Sequence, residues 1–218
     1  RKSFPKQFIK IKNNLSLFQL TIKRFYNSKI CKFEAPIIMT NENYRFFVSQ
    51  QLEELNIKPE KIFIEPSPKN TAAPILVSNF YAQSKFEDPI ILVCPSDHLI
   101  KNKTFFFNSI KSALQGIDDK KVITFGIKPT HPETGYGYIN ISENSEKTKL
   151  KKVLNFIEKP NIKDATKMFD SKKYLWNSGI FLFSSDVIIS LYKKLCPEMY
   201  SSANNSIKKG HIDLNFFR

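Results

Sequence analysis

From residue 36 onward, short apolar runs alternate with stretches whose apolar positions recur every three or four residues. Pro36-Ile37-Ile38-Met39-Thr40 predicts a buried strand. Asn43 to Leu55, with Phe46, Phe47, Gln50, Gln51 and Leu55 at helical spacing, predicts a helix. Lys61 to Glu65 predicts a second strand, stopped by Pro66 and Pro68. The next helix is predicted over Asn70 to Ser84, with Asn70 or Thr71 at its N-cap and Ile75, Val77, Phe80 and Tyr81 available to the core. Pro89 to Cys94 is the most apolar run; being apolar at every position from Ile90 to Val93, it predicts a central strand of a parallel sheet. A helix over Thr104 to Gln115 and a strand over Lys121 to Gly126 follow. That alternation is the signature of βαβ units, so the expected fold is α/β and Rossmann-like, a mixed, mainly parallel sheet flanked by helices.

Past residue 127 the rhythm changes. Gly137 to Ile141 and Lys149 to Ile157 predict longer, partly exposed strands joined as a hairpin across the polar stretch Ser142–Thr148. A helix over Asn161 to Phe169, a strand over Gly179 to Phe183 and a helix over Ser184 to Leu195 complete the pattern. No internal repeat or low-complexity linker interrupts it, so residues 1–218 are expected to form one domain.

Charge adds less than its size suggests. The chain carries 34 Lys+Arg against 20 Asp+Glu, a net charge of +14. Only Arg1, Arg24, Arg45 and Arg218 are arginines, and nucleic-acid recognition leans on the guanidinium fork. The lysines are scattered as pairs beside element ends, so most read as solvated surface and no nucleic-acid partner is expected. No run of about 18 apolar residues exists, so no transmembrane helix and no membrane partner are expected. Cys31, Cys94 and Cys196 are widely spaced with no C-x-x-C, the pattern of a reduced, cytoplasmic protein.

In open parallel sheets, ligands bind beyond the carboxyl ends of the strands, which directs attention to four places. Asp97, in Ser96-Asp97-His98 after the most apolar strand, suits either a hard divalent cation or a turn. Glu158-Lys159-Pro160 ends another strand: its Lys can neutralise phosphate and its Glu can accept from sugar hydroxyls, or the two form an exposed ion pair. Gly135-Tyr136-Gly137-Tyr138 spends two of only six glycines on close backbone approach or on a tight turn. Trp176-Asn177-Ser178-Gly179 holds the single Trp and either presents Asn177 to a ligand or forms a packed turn. The basic segment Arg1 to Phe8 reads, on its own, as a tail.

The order of these pieces is more specific than any one of them. Pro5-Lys6-Gln7-Phe8, Ser16 to Thr21, Glu65-Pro66, Lys69-Asn70-Thr71-Ala72, Pro95 to His98, Phe125 to Thr130, Glu133 to Ile139, Phe156 to Pro160 and Trp176 to Gly179 together resemble the mannose-1-phosphate guanylyltransferase family over essentially the whole chain. The resemblance implies a nucleotide-diphospho-sugar transferase type of fold and transfer of a guanylyl group from GTP to mannose 1-phosphate with Mg2+. By matching position, Asp97 resembles the metal-binding aspartate, and Lys6 the lysine that reaches the nucleotide phosphates. Glu65, Asn70, Thr71 and Ala72 resemble the wall that holds the base. Gly137, Glu158 and Asn177 resemble sugar-pocket residues, and Lys159 the lysine near the sugar phosphate. A homo-oligomer is compatible with the family.

The departures carry expectations of their own. Arg1 matches the residue just after the family's glycine-rich phosphate loop, and the family's later S-x-D motif has no counterpart before Arg218; Asp213 lacks its context. The chain therefore reads as truncated at both ends. Without the family's first strand, the strands at 36–40 and 90–94 would present open edges, so residues 1–218 alone are expected to be poorly soluble and inert. Pro68-Lys69 stands where the family often has Gly-Arg. The alternatives are a pyrophosphorylase for another NTP and sugar 1-phosphate, or a catalytically dead regulatory relative.

Overall fold

The computed structural model describes residues 4–67, 70–118, 120–142 and 150–218. In chain order these give β1 (Lys10–Lys12), β2 (Leu15–Ser16), α1 (Leu17–Tyr26), β3 (Ile37–Asn41), α2 (Arg45–Glu53), β4 (Lys61–Glu65), α3 (Ala72–Lys85) and β5 (Ile90–Val93). There follow α4 (Lys103–Gly116), β6 (Val122–Ile127), β7 (Tyr138–Ile141), β8 (Val153–Ile157), α5 (Ile162–Ser171) and β9 (Tyr174–Ser184). The chain ends with α6 (Ser185–Leu195), α7 (Pro197–Lys209), β10 (Ile212–Asp213) and β11 (Phe216–Phe217). Short 3-10 turns at Lys6–Phe8 and Glu42–Tyr44 precede β1 and α2. Within the stretch expected as one domain, the chain divides into two compact units: Arg1–Pro89 with Pro95–Ile110 and Ser185–Arg218, and Ile90–Cys94 with Lys111–Ser184.

The first unit is built on a four-stranded sheet of order β10-β11-β4-β3. β3 and β4 run parallel in register from Ile37↔Lys61 to Asn41↔Glu65, and β11 adds to β4 in the same direction. Phe8, Phe18, Ile22, Ile38, Val48, Leu52, Ile62 and Phe216 form its core. α1 is started by a capping box: Ser16 Oγ accepts from the Gln19 N–H, and Gln19 Oε1 accepts from the Ser16 N–H, so two otherwise unpaired donors are satisfied. The turn at Lys6–Phe8, with Phe8 buried, replaces the tail read from the basic segment Arg1 to Phe8, of which residues 1–3 lie outside the described ones. In α3 the deepest residues are Leu76, Asn79, Tyr81 and Ala82; of the four predicted to face the core, Ile75, Val77 and Phe80 are only half-buried.

The second unit is organised by β9, which pairs antiparallel with β5, β6 and β7, while β8 extends the sheet beyond β7. The mixed α/β class is as expected, but parallel pairing is confined to the first unit's sheet. Among the described strands of the second unit every pairing is antiparallel. Ile90–Val93 accordingly is an edge strand and not a central one, with Ile90 48% exposed; its uniform apolarity reflects half-burial on both faces. β3 likewise ends its own sheet. β9 is eleven residues long and includes Trp176-Asn177-Ser178-Gly179; the register shifts here and Gly179 takes a left-handed φ of 68, so the motif is a bulge within a strand and not a turn between elements. β7 and β8 form the antiparallel pair expected, with β8 largely exposed; Lys149 and the connecting residues 143–149 lie outside the described residues. Two apolar clusters back this sheet: Tyr138, Ala165, Met168 and Trp176, and Ala113, Ile123 and Leu182.

Candidate functional site

The first unit brings Lys6 and Asp97 together. Pro5 caps the turn Lys6–Phe8, which is short enough to leave the Lys6 side chain exposed. Asp97 lies in the loop after Pro95, and its Oδ2 accepts from Lys6 Nζ at 2.8 Å, with the Lys 72% and the Asp 28% exposed. His98 Nε2 stands 3.8 Å from the other carboxylate oxygen. Burial pushes the His98 imidazole below its ordinary value. The Asp97 charge opposes that push, while Lys6 and Arg24 reinforce it.

Glu65 is the last residue of β4 and sits half-buried opposite Asn41 of β3, whose Nδ2 donates to the Glu65 carbonyl at 3.3 Å. Glu65 lines a cavity of about 250 Å3 together with Gln7, Thr40, Asn41, Tyr44 and Ser96. The segment Asn70-Thr71-Ala72 forms the entry to α3. Asn70 takes a left-handed conformation at φ 60, Thr71 is the N-cap and Ala72 the first helical residue. The Thr71 side chain makes no capping hydrogen bond, and the Ala72 carbonyl accepts from Tyr192 Oη at 3.1 Å. A helix of fourteen residues starting here points its first N–H groups outward, where an anion is favoured. Pro68 and Lys69 lie outside the described residues, as does Arg1.

In the second unit Gly137, Glu158 and Asn177 converge. The Asn177 N–H donates to the Gly137 carbonyl at 2.7 Å. A Cβ placed on Gly137 would lie 2.7 Å from Glu158 Oε2 and 2.8 Å from Phe156 Cζ. The glycine is thus explained by its own neighbours, which occupy the space a side chain would need. The Asn177 Oδ1 accepts from Thr124 Oγ1 at 3.2 Å and from the Gly179 N–H at 3.1 Å, which fixes the amide beside the irregular register between Thr124 and Gly126. Lys159 has a left-handed backbone at φ 46, and its Nζ lies 3.8 Å from Glu158 Oε1, both side chains being exposed. The loop before Gly137 is held by Glu133, which accepts from the Gly135 N–H at 2.9 Å; that bond and the His131 ring hold its carboxyl below the usual range.

Sequence reasoning gave no site role to Gln7, Asn41 and Ser96 in the cavity wall or to the buried Arg24 and Gln51. A signal existed for part of this: Ser16-Leu17-Phe18-Gln19 has the spacing of a capping box, which announces α1 and hence the burial of its inner face.

Comparison with known proteins adds the following. The family model described as nucleotidyl transferase matches residues 1–218. A mannose-1-phosphate guanylyltransferase of Escherichia coli is 37% identical over 223 residues, covering 100% of this chain and 47% of the relative. The mannose-1-phosphate guanylyltransferase RfbM of Salmonella typhimurium is 38% identical over 222 residues, covering 100% and 45%. The chain therefore spans about half the length of the curated relatives it matches. A solved Helicobacter pylori structure, described as a mannose-6-phosphate isomerase, is 28% identical with a TM-score of 0.82 over 98% of this chain and 80% of that one.

Proposed function

The chain belongs to the nucleotidyl transferase family, and from that premise we propose that the protein carrying it transfers a guanylyl group from GTP to mannose 1-phosphate, giving GDP-mannose and pyrophosphate. The observation that carries this reading is the Lys6–Asp97 pair, a cation and a hard anion 2.8 Å apart on two loops of the first unit. The names of the relatives at 37% and 38% identity supply the sugar and the base.

The chemistry needs no covalent intermediate on the protein. An oxygen of the sugar phosphate attacks the nucleotide α-phosphorus. The bond from that phosphorus to the bridging oxygen of the β-phosphate breaks, and pyrophosphate leaves with the electron pair. What the chain supplies is alignment and charge compensation. In this reading Lys6 offsets the triphosphate, Glu65 accepts the N–H donors on the edge of guanine, and Asn70, Thr71 and Ala72 present main-chain N–H groups at the start of α3. Glu158 and Asn177 take the sugar hydroxyls beside Gly137, and Lys159 offsets the sugar phosphate. Asp97 fits Mg2+. Among the described residues no three His, Cys, Asp or Glu side chains cluster as a metal cage, and Mg2+ is commonly held by one or two carboxylates with phosphate oxygens and water. When bound, Mg2+ polarises the phosphoryl oxygens and offsets their developing charge.

The test is turnover. In the whole protein that carries this chain, GTP and mannose 1-phosphate with Mg2+ are expected to yield GDP-mannose and pyrophosphate faster than any pairing of ATP, UTP, CTP or dTTP with mannose 1-phosphate or glucose 1-phosphate. A different preferred pair would overturn the substrate assignment, and no turnover with any pair would overturn the enzymatic reading. No described helix is long and apolar enough to cross a membrane.

A further inference from the structure

Behind the Lys6–Asp97 pair stand two buried polar side chains that the proposed chemistry does not use. Gln51, on α2, donates from Nε2 to the carbonyl of Phe8 at 3.0 Å, two residues beyond Lys6. Its Oε1 accepts from Ser16 Oγ, and its own main-chain carbonyl accepts from Gln19 Nε2 at 3.1 Å. Ser16, Gln19 and Gln51 are all buried. Arg24, on α1, is only 4% exposed, yet its Nη2 donates to the carbonyl of His98 at 2.9 Å, one residue beyond Asp97. The guanidinium also reaches Thr21 Oγ1 at 3.5 Å and lies 5.8 Å from the ring centroids of Phe25 and Phe106.

Burying a guanidinium is costly, and so is burying an amide unless its donors are used. Here both groups are directed at main-chain carbonyls of loops, where a regular element has no partner to offer. The same helix α1 carries Arg24 and, at its cap, the Ser16–Gln19 box that holds Gln51. One element therefore fastens both loops. We propose that Gln51 and Arg24 are positioning residues: Gln51 acts through Phe8 on Lys6, Arg24 acts through His98 on Asp97, and together they fix the separation of the pair before any phosphate arrives. Fixed charges serve phosphoryl transfer better than mobile ones because no reorganisation is needed when charge develops. The inference rests on the reading of Lys6 and Asp97 given above, and the experiment keeps the two apart.

The experiment measures MgGTP binding by titration calorimetry, with thermal unfolding alongside, in the whole protein that carries this chain. Gln51→Leu is examined alone and with Lys6→Met, and Arg24→Met alone and with Asp97→Asn. Each positioning variant is expected to weaken binding about tenfold in the parent. It should add nothing where its own loop residue is already replaced, because the coupling passes through that residue. The crossed combinations, Gln51→Leu with Asp97→Asn and Arg24→Met with Lys6→Met, should couple more weakly, through the Lys6–Asp97 contact alone. A merely structural role would make all four combinations additive, and that outcome overturns the proposal. If Lys6→Met and Asp97→Asn leave binding unchanged, the reading of the pair falls and takes the proposal with it. Where Arg24→Met unfolds the chain, Arg24→Lys, which keeps the charge but loses the planar fork, takes its place under the same expectations.

Discussion

In the first unit Lys6 and Asp97 meet across 2.8 Å on loops fastened from behind by buried side chains, whereas in the second unit Gly137, Glu158 and Asn177 are brought together by the strand ladder and by the absence of a side chain. The first arrangement depends on hydrogen bonds made by Gln51 and Arg24 at some distance in sequence. The second depends on register: Asn177 reaches the Gly137 carbonyl because β7 and β9 lie side by side. A polar anchor costs burial of a charge or amide but holds irregular backbone, while a ladder holds only what lies on it. The contrast teaches that loop-borne groups and strand-borne groups fail differently, and four substitutions exploit this.

Asp97→Asn keeps the shape of the side chain and removes its charge, so turnover should fall about 100- to 1000-fold with the unfolding midpoint nearly unmoved. Steady-state kinetics that show less than a tenfold loss would place the chemistry elsewhere. Gly137→Ala should act through crowding alone. The new methyl meets the far ends of Glu158 and Phe156, both exposed and free to swing, so stability should hold while KM for the sugar phosphate rises about tenfold. If the KM for nucleotide rises instead, the division of roles is wrong. Ser16→Ala should show how far the polar anchor reaches. It removes the cap of α1 and the proton held by Gln51 Oε1, costing about 1–2 kcal/mol in urea unfolding. A cost below about 0.3 kcal/mol would mean that the network does not hold α1 and α2 together. The smallest effect is a gain. Lys172 caps α5 at φ 57, where a glycine carries no steric penalty, so Lys172→Gly should stabilise by about 1 kcal/mol and leave kinetics alone.

Sequence pattern located most strands and helices because their apolar runs are short and bounded by Pro, Asn or Gly; Lys61–Glu65 has the predicted bounds. It failed where the outcome is decided by partners. Nothing in Ile90–Val93 announces an antiparallel neighbour, because the partner, Phe181–Ser184, is some ninety residues away and equally apolar. Trp176 to Gly179 resembled a turn because Asn, Ser and Gly usually mark one; the strands beside β9 take up Trp176 and Asn177, and the turn chemistry survives as a bulge with Gly179 at φ 68. Pro197 at the start of α7 was a legible signal left unused. Of the candidate residues, the structure brings Lys6 beside Asp97, and Gly137 beside Glu158 and Asn177. Arg24 was invisible, since an arginine on an amphipathic helix ordinarily reads as surface.

The length of β9 has a consequence during synthesis. Ile90–Val93 and Val122–Ile127 both pair with this strand, and Ile90 is matched to Ser184. A ribosome adding about 5–20 residues per second leaves Ile90–Val93 without its ladder for roughly 5 to 20 s. The sheet of the second unit can therefore close only once residue 184 has left the exit tunnel, while β3 and β4, with only a 3-10 turn and one α-helix between them, can pair long before. The nascent chain would thus carry one folded parallel pair and several waiting edges, with the strand that unites those edges arriving last.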